Sequence, residues 1–167
     1  MESKMNKTCC TVPRSFWLRA LKLVPLDEVK AVIDSIINEY EIAYKSIPQS
    51  GLGVLQTKDT ALHEPYFLGE FPIATSWVVL TDAQGNTFDG AAQLMDDDEN
   101  LASLFAVCDA ILANDLMSCT KLADLIELGE YKFSQEVSTR KAMLGSTAVN
   151  FSLFGAVDQN KKEGKNA

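Results

Sequence analysis

The sequence is short of the residues and motifs that solution chemistry usually needs. It has one histidine, His63, no CxxC pair among its four cysteines, and no lysine or arginine anywhere from Asp59 to Thr120. A lone histidine in a loop beside Pro65, with no partner motif around it, offers poor material for general acid–base catalysis. Cys9, Cys10, Cys108 and Cys119 lack the paired spacing of a zinc site, so they read as reduced structural thiols. The cation-free stretch holds eleven acidic residues. Duplex binding needs several cations aimed at phosphates, so nucleic-acid binding is excluded, and any anionic substrate must find its cations in the terminal thirds or on a partner. No GxSxG, GxGxxG, P-loop or HExxH motif occurs, so the self-sufficient hydrolase, dehydrogenase and NTPase classes have little support. No apolar run approaches the roughly 18 residues that span a bilayer. A secretory h-region is also missing after Lys4 and Lys7, so the reading places the chain in the cytoplasm.

What remains is an acidic globular composition, 47% hydrophobic with a net charge of −8, over 167 residues. That length suits one domain with a real core. The expected layout is a disordered N-terminus over 1–10, a single α+β domain over 11–157 and a disordered polar tail over 158–167.

The chain is organised around Phe67–Ala113. Ser76–Thr81 reads as a buried strand, Asp82–Asn86 as a tight turn with Gly85 at positive φ, and a second strand runs through Gly90-Ala91-Ala92 toward Met95. Asp96-Asp97-Asp98-Glu99 opens a helix with Leu101, Leu104, Phe105, Cys108, Ile111 and Leu112 at helical spacing. These four acids lack the alternation and glycine of a calcium loop, so they read as a helix cap. Ala102, Ala106 and Ala110 form a small-residue stripe that lets another element approach closely.

On either side, Thr11–Val24 and Leu26–Tyr40 read as helices separated by Pro25. Glu41–Ile47 and Gly51–Lys58 read as strands joined by a hairpin at Gln49-Ser50-Gly51. Pro65–Glu70 reads as a further strand, interrupted by Phe71-Pro72. Thr120–Leu128 and Phe133–Leu144 read as helices broken at Gly129, with Glu136 and Arg140 spaced for an ion pair. Ala148–Phe154 reads as a late strand. The expected fold is therefore α+β, a mainly antiparallel sheet of about five to six strands with N-terminal, central and C-terminal helices.

Three further residues carry open alternatives. Glu70 orients a partner, pairs with Arg14 or Arg140, or faces water. Arg140 belongs to an intrahelical pair or contacts a phosphate or a partner. Trp17, beside Phe16, is core or an interface anchor.

A series of short motifs in order resembles the PhnG family, the G subunit of the carbon–phosphorus lyase system. It comprises Arg14…Trp17-Leu18…Leu21, Tyr40-Glu41, Gly51-Leu52…Val54, Phe67-Leu68-Gly69-Glu70, then Val78, Leu80, Gly85 and Gly90. Ala102…Ala106…Asp109-Ala110, Arg140…Ala142 and Val149…Phe151 complete it. The sequence departs from the family pattern at Asp97, Ala148, Asn150 and Ser152. The resemblance implies an accessory, non-catalytic subunit of the complex that makes α-D-ribose 1-methylphosphonate 5-triphosphate during phosphonate catabolism. In that family the G, H, I and J subunits form a core complex. The nucleosidase chemistry belongs to I and the radical iron–sulfur chemistry to J, so this chain would be part of a transferase complex whose catalysis lies on I. The implied partners are subunits I, H and J, the L protein, and a second copy of this chain. No cofactor is implied on the chain itself, MgATP being the complex's substrate. The interface candidates are Arg14, Trp17, Gly69, Glu70, Arg140, Val149 and Phe151. The alternatives are a stand-alone small-ligand-binding or regulatory domain and, further off, a hydrolase using Glu70 and His63.

Overall fold

A computed structural model describes residues 9–146. The chain divides into two compact units, residues 1–133 and 134–167. In the first, two helices, α1 (Arg14–Leu21) and α2 (Leu26–Asp34), precede a single 3-10 turn at Ile37–Glu39. Three strands follow, β1 (Glu41–Lys58), β2 (Pro65–Thr81) and β3 (Thr87–Leu94), then α3 (Glu99–Ala113) and α4 (Cys119–Ser146), which runs on into the second unit. The sheet is antiparallel, in the order β1-β2-β3.

The class is α+β, but the described residues form three strands, not five or six. The two strands expected on either side of Gln49-Ser50-Gly51 are one continuous β1, and the two expected around Phe71-Pro72 are one continuous β2. Proline stops a strand only where its missing N–H was needed. Pro48 lies in a register irregularity between Ser46 and Gln49 on a strand whose outer side has no partner strand among the described residues. Pro72 pairs with Leu52 but lies beyond the end of β3, which reaches only Ala74, so among the described residues β2 is itself an edge there. Neither proline breaks a ladder. Ala148–Phe154 falls outside the described residues.

The helices also differ from the expectation. The expected break at Gly129 is absent and α4 is continuous. A Cβ at Gly129 would collide with the backbone of Ala20 in α1, so this glycine permits a close helix crossing and does not end a helix. The second helix is shorter than expected, because Ser35 caps it before the 3-10 turn.

The core lies on one face of the sheet. Ala74, Ser76, Val78 and Leu80 of β2 alternate inward and are met by Gly90, Ala92 and Leu94 of β3. The buried Ser76 hydroxyl is within hydrogen-bonding distance of that of Ser103, at 3.3 Å. α3 covers this face and is buried on every side from Phe105 to Leu112, as expected of a helix held between two layers. Its alanine stripe receives β3: a Cβ on Gly90 would strike the Ala106 carbonyl and Ala110. Trp17, Leu21, Val29, Ile33, Ile36, Leu122 and Ile126 extend the same core through α1, α2 and the first half of α4.

The acids before α3 do what a helix start asks of them. Asp98 Oδ1 accepts from the N–H groups of Asn100 (2.9 Å) and Leu101 (3.1 Å). Asp96 accepts from the N–H groups of Asp97 and Asp98 and from Lys22 Nζ at 2.7 Å. The Lys22 contact is the main reason its carboxyl is held below the usual carboxylate range. Glu99 Oε1 reaches across to β1, accepting from the Ser50 N–H at 3.1 Å and hydroxyl at 2.9 Å.

Candidate partner interface

Two places draw together the residues singled out in the sequence. The first is a joint between α1, α3 and β3. Arg14 donates from Nε to Asp109 Oδ1 at 2.8 Å and from Nη2 to Asp109 Oδ2 at 2.6 Å, a two-point fork. Asp109 Oδ2 also accepts the Ala91 N–H at 2.9 Å. Among the described residues Ala91 has a strand partner, Trp77, on one side only. The carboxylate therefore closes an open sheet edge with one atom and anchors α1 with both. The Asp109 hydrogen bond is the main cause of the raised Arg14 pKa. Gly90 and the alanine stripe bring α3 close enough for this contact. Asp109 stands in the sequence only as part of the family motif, not among the interface candidates. Its signal was there, a carboxylate in the middle of an apolar helix, but its partner is 95 positions away.

Trp17 belongs to this joint as core. It is 3% exposed, and its Nε1 donates to the Val12 carbonyl at 2.7 Å. Nearby, the Arg19 guanidinium lies between the rings of Phe16 (4.4 Å) and Phe133 (3.8 Å) and pairs with Glu130 at 2.7 Å.

The second place is the far half of the β1–β2 ribbon. Beyond Ala74, β2 has β1 on one side and no strand on the other among the described residues. Leu52, Val54, Leu55, Tyr66, Phe67 and Leu68 are each more than half exposed there. The register slips between Leu55 and Gln56: Leu55 opposes Gly69 and Gln56 opposes Phe67, so Leu68 is a bulge residue without a cross-strand partner. Glu70 is exposed opposite Val54, on the face that continues the α3 side of the sheet. Gly69 has open space where a Cβ would be. The Phe67-Leu68-Gly69-Glu70 piece is thus a bulged, apolar, outward-facing stretch of strand.

The other candidates are placed as follows. Arg140 is exposed on α4, and no ion pair joins it to Glu136. Val149 and Phe151 lie outside the described residues, as do the departures at Ala148, Asn150 and Ser152. Asp97 is exposed in the cap before α3. Glu70 does not pair with Arg14, which Asp109 holds. His63 sits in the β1–β2 turn with φ 54, exposed, beyond Pro65. Five residue steps along β2 take the chain from Pro65 to Glu70, a span of roughly 16 Å at about 3.3 Å per residue. That separation along β2 gives no support to a hydrolase built on His63 and Glu70.

The thiols divide into two groups. Cys108 is enclosed in the core, and burial pushes its pKa up, which keeps it a small neutral hydrophobe. Cys10 is likewise buried, with its pKa raised first by burial. Cys9 and Cys119 lie beside each other and beside Asp115. Burial raises the Cys9 pKa, and hydrogen bonding with both neighbours adds to it.

Among the described residues no helix is long and apolar enough to cross a membrane. No curated protein matches the chain. Residues 12–155 match the family described as phosphonate metabolism protein PhnG. With most of its length in that match, and with Arg14, Gly90, Ala106, Asp109 and Ala110 meeting at a single joint, the chain belongs to the PhnG family, a family of phosphonate metabolism proteins.

Proposed function

We propose that this protein is an accessory, non-catalytic subunit of the cytoplasmic carbon–phosphorus lyase complex, and that it docks through its β1–β2 ribbon. The observation that carries this reading is the ribbon's far half. Two strands of 18 and 17 residues extend past a third of only 8, presenting apolar side chains with nothing packed on them among the described residues. A two-stranded ribbon is marginal in water, and a long apolar strand edge invites pairing with another chain. Gly69 supports the same reading. Its Cβ space is open, as suits a site where a second backbone approaches. The family's chemistry supplies the partner: subunit I, where the displacement of adenine from MgATP by a phosphonate would take place, with H, J and the L protein in the same assembly. On this reading the chain contributes shape and contact area while substrate and nucleotide are held elsewhere. That fits a central segment with no cation between Asp59 and Thr120.

The test is native mass of the full chain, expressed alone and with subunit I from the same source. Self-association alone and a defined assembly together is the expected result. A stable monomer that ignores subunit I would overturn the reading.

A further inference from the structure

The connection between α3 and α4 is wound tightly. Leu116 N–H donates to the Ile111 carbonyl and Cys119 N–H to the Leu116 carbonyl, both at 3.0 Å. Two non-glycine residues in it, Asp115 (φ 49) and Ser118 (φ 64), take the left-handed conformation. Such residues carry strain that the surrounding contacts must hold. The winding turns Asp115 back toward the segment ahead of α1, where its Oδ1 accepts the Cys9 N–H at 2.7 Å. It also starts α4 with Cys119 facing the same point. The Sγ of Cys9, a carboxylate oxygen of Asp115 and the Sγ of Cys119 all lie within 4.8 Å of one another.

We propose that Cys9, Asp115 and Cys119 form a binding site for a thiophilic divalent cation, Zn2+, which clips the segment before α1 onto the α3–α4 connection. Two sulfurs and one carboxylate oxygen suit zinc and disfavour magnesium and calcium, which take oxygen ligands. Tetrahedral bonds of about 2.3 Å put sulfur ligands roughly 3.8 Å apart, so side-chain rotation of the order of 1 Å completes the shell. Burial is graded in the right sense. Cys119 is buried, Cys9 half-buried and Asp115 exposed, so the fourth position opens to water on the Asp115 side. Each thiol gives its proton to solvent as the cation binds. Cys10 and Cys108 belong to the apolar core and take no part.

The site is independent of the subunit reading, and its test needs no partner. The full chain is reduced, freed of reductant and titrated with Co2+ and then Zn2+. The expected result is one cation per chain, with a thiolate-to-cobalt charge-transfer band and the visible bands of a tetrahedral ion, both displaced by Zn2+. Cys9→Ser and Cys119→Ser abolish the charge-transfer band or reduce it to a weak remnant, whereas Cys10→Ala leaves the titration unchanged. Asp115→Asn, at an exposed position that does not threaten folding, weakens binding by at least about tenfold. A cobalt spectrum that stays that of the aqueous ion overturns the proposal, as does binding unaffected by Asp115→Asn and Cys119→Ser. A Cys9–Cys119 disulfide whose reduction yields no cation uptake also overturns it.

Discussion

At the scale of single residues, the Arg14–Asp109 contact illustrates how an ion pair draws its value from what it covers. The Arg14 side chain is 60% exposed and that of Asp109 only 6%. An exposed pair contributes little. Here the carboxylate is buried and also satisfies the Ala91 N–H, so removing its cation leaves a buried charge with one donor. Water reaches the Arg14 side, which softens the loss. Arg14→Ala is expected to destabilise the chain by about 2 kcal/mol in denaturant unfolding, and Arg14→Lys by about half that, because a point charge cannot make both contacts. Asp109→Ala leaves the strand-edge N–H unpartnered and should cost a similar amount, about 2 kcal/mol. If Arg14→Ala is neutral, the joint is held by packing alone.

Two glycines govern how closely elements approach each other. On helix propensity alone, Gly129→Ala should stabilise α4 by about 1 kcal/mol. The contact with Ala20 opposes this, and overpacking of backbone on backbone costs about 1–3 kcal/mol. The contact wins, so Gly129→Ala is expected to lower stability by about 1–2 kcal/mol, read as a fall in Tm. A rise would mean that α1 and α4 slide apart freely. Gly90 meets α3 in the same way. At Gly69 a Cβ meets nothing, so no contact within the chain opposes Gly69→Ala.

For the whole molecule, stability and function are expected to separate along the ribbon. Core residues end near Ala74, and past that point no side chain of the ribbon is fully buried. Leu68→Asp, placed at the bulge, should change the Tm of the chain by no more than surface substitutions do, within about 0.5 kcal/mol. It should at the same time abolish or sharply weaken assembly with subunit I, measured by native mass. Loss of stability without loss of assembly would place the docking surface elsewhere.

Much of this was legible in the chain itself. Residue spacing determined the acidic cap at Asp96–Glu99, the Asp82–Asn86 turn, the helix α3 and its alanine stripe, because each rests on contacts within a few positions. The chain in order also carried the family, through Arg14, Phe67–Glu70 and Asp109. The tertiary structure decided what depends on neighbours far away in sequence. Pro48 and Pro72 look like strand breakers until the pairing shows that neither faces a further strand among the described residues. Gly129 looks like a helix end until Ala20 arrives beside it. Asp109 is an oddity on an apolar helix until Arg14 and Ala91 close on it, and Cys9 and Cys119 are unrelated thiols until the fold brings them together with Asp115. Local patterns record which element a residue joins. Only the packed chain records which donors, acceptors and backbones are left facing one another, because burial and edge pairing are properties of neighbours in space.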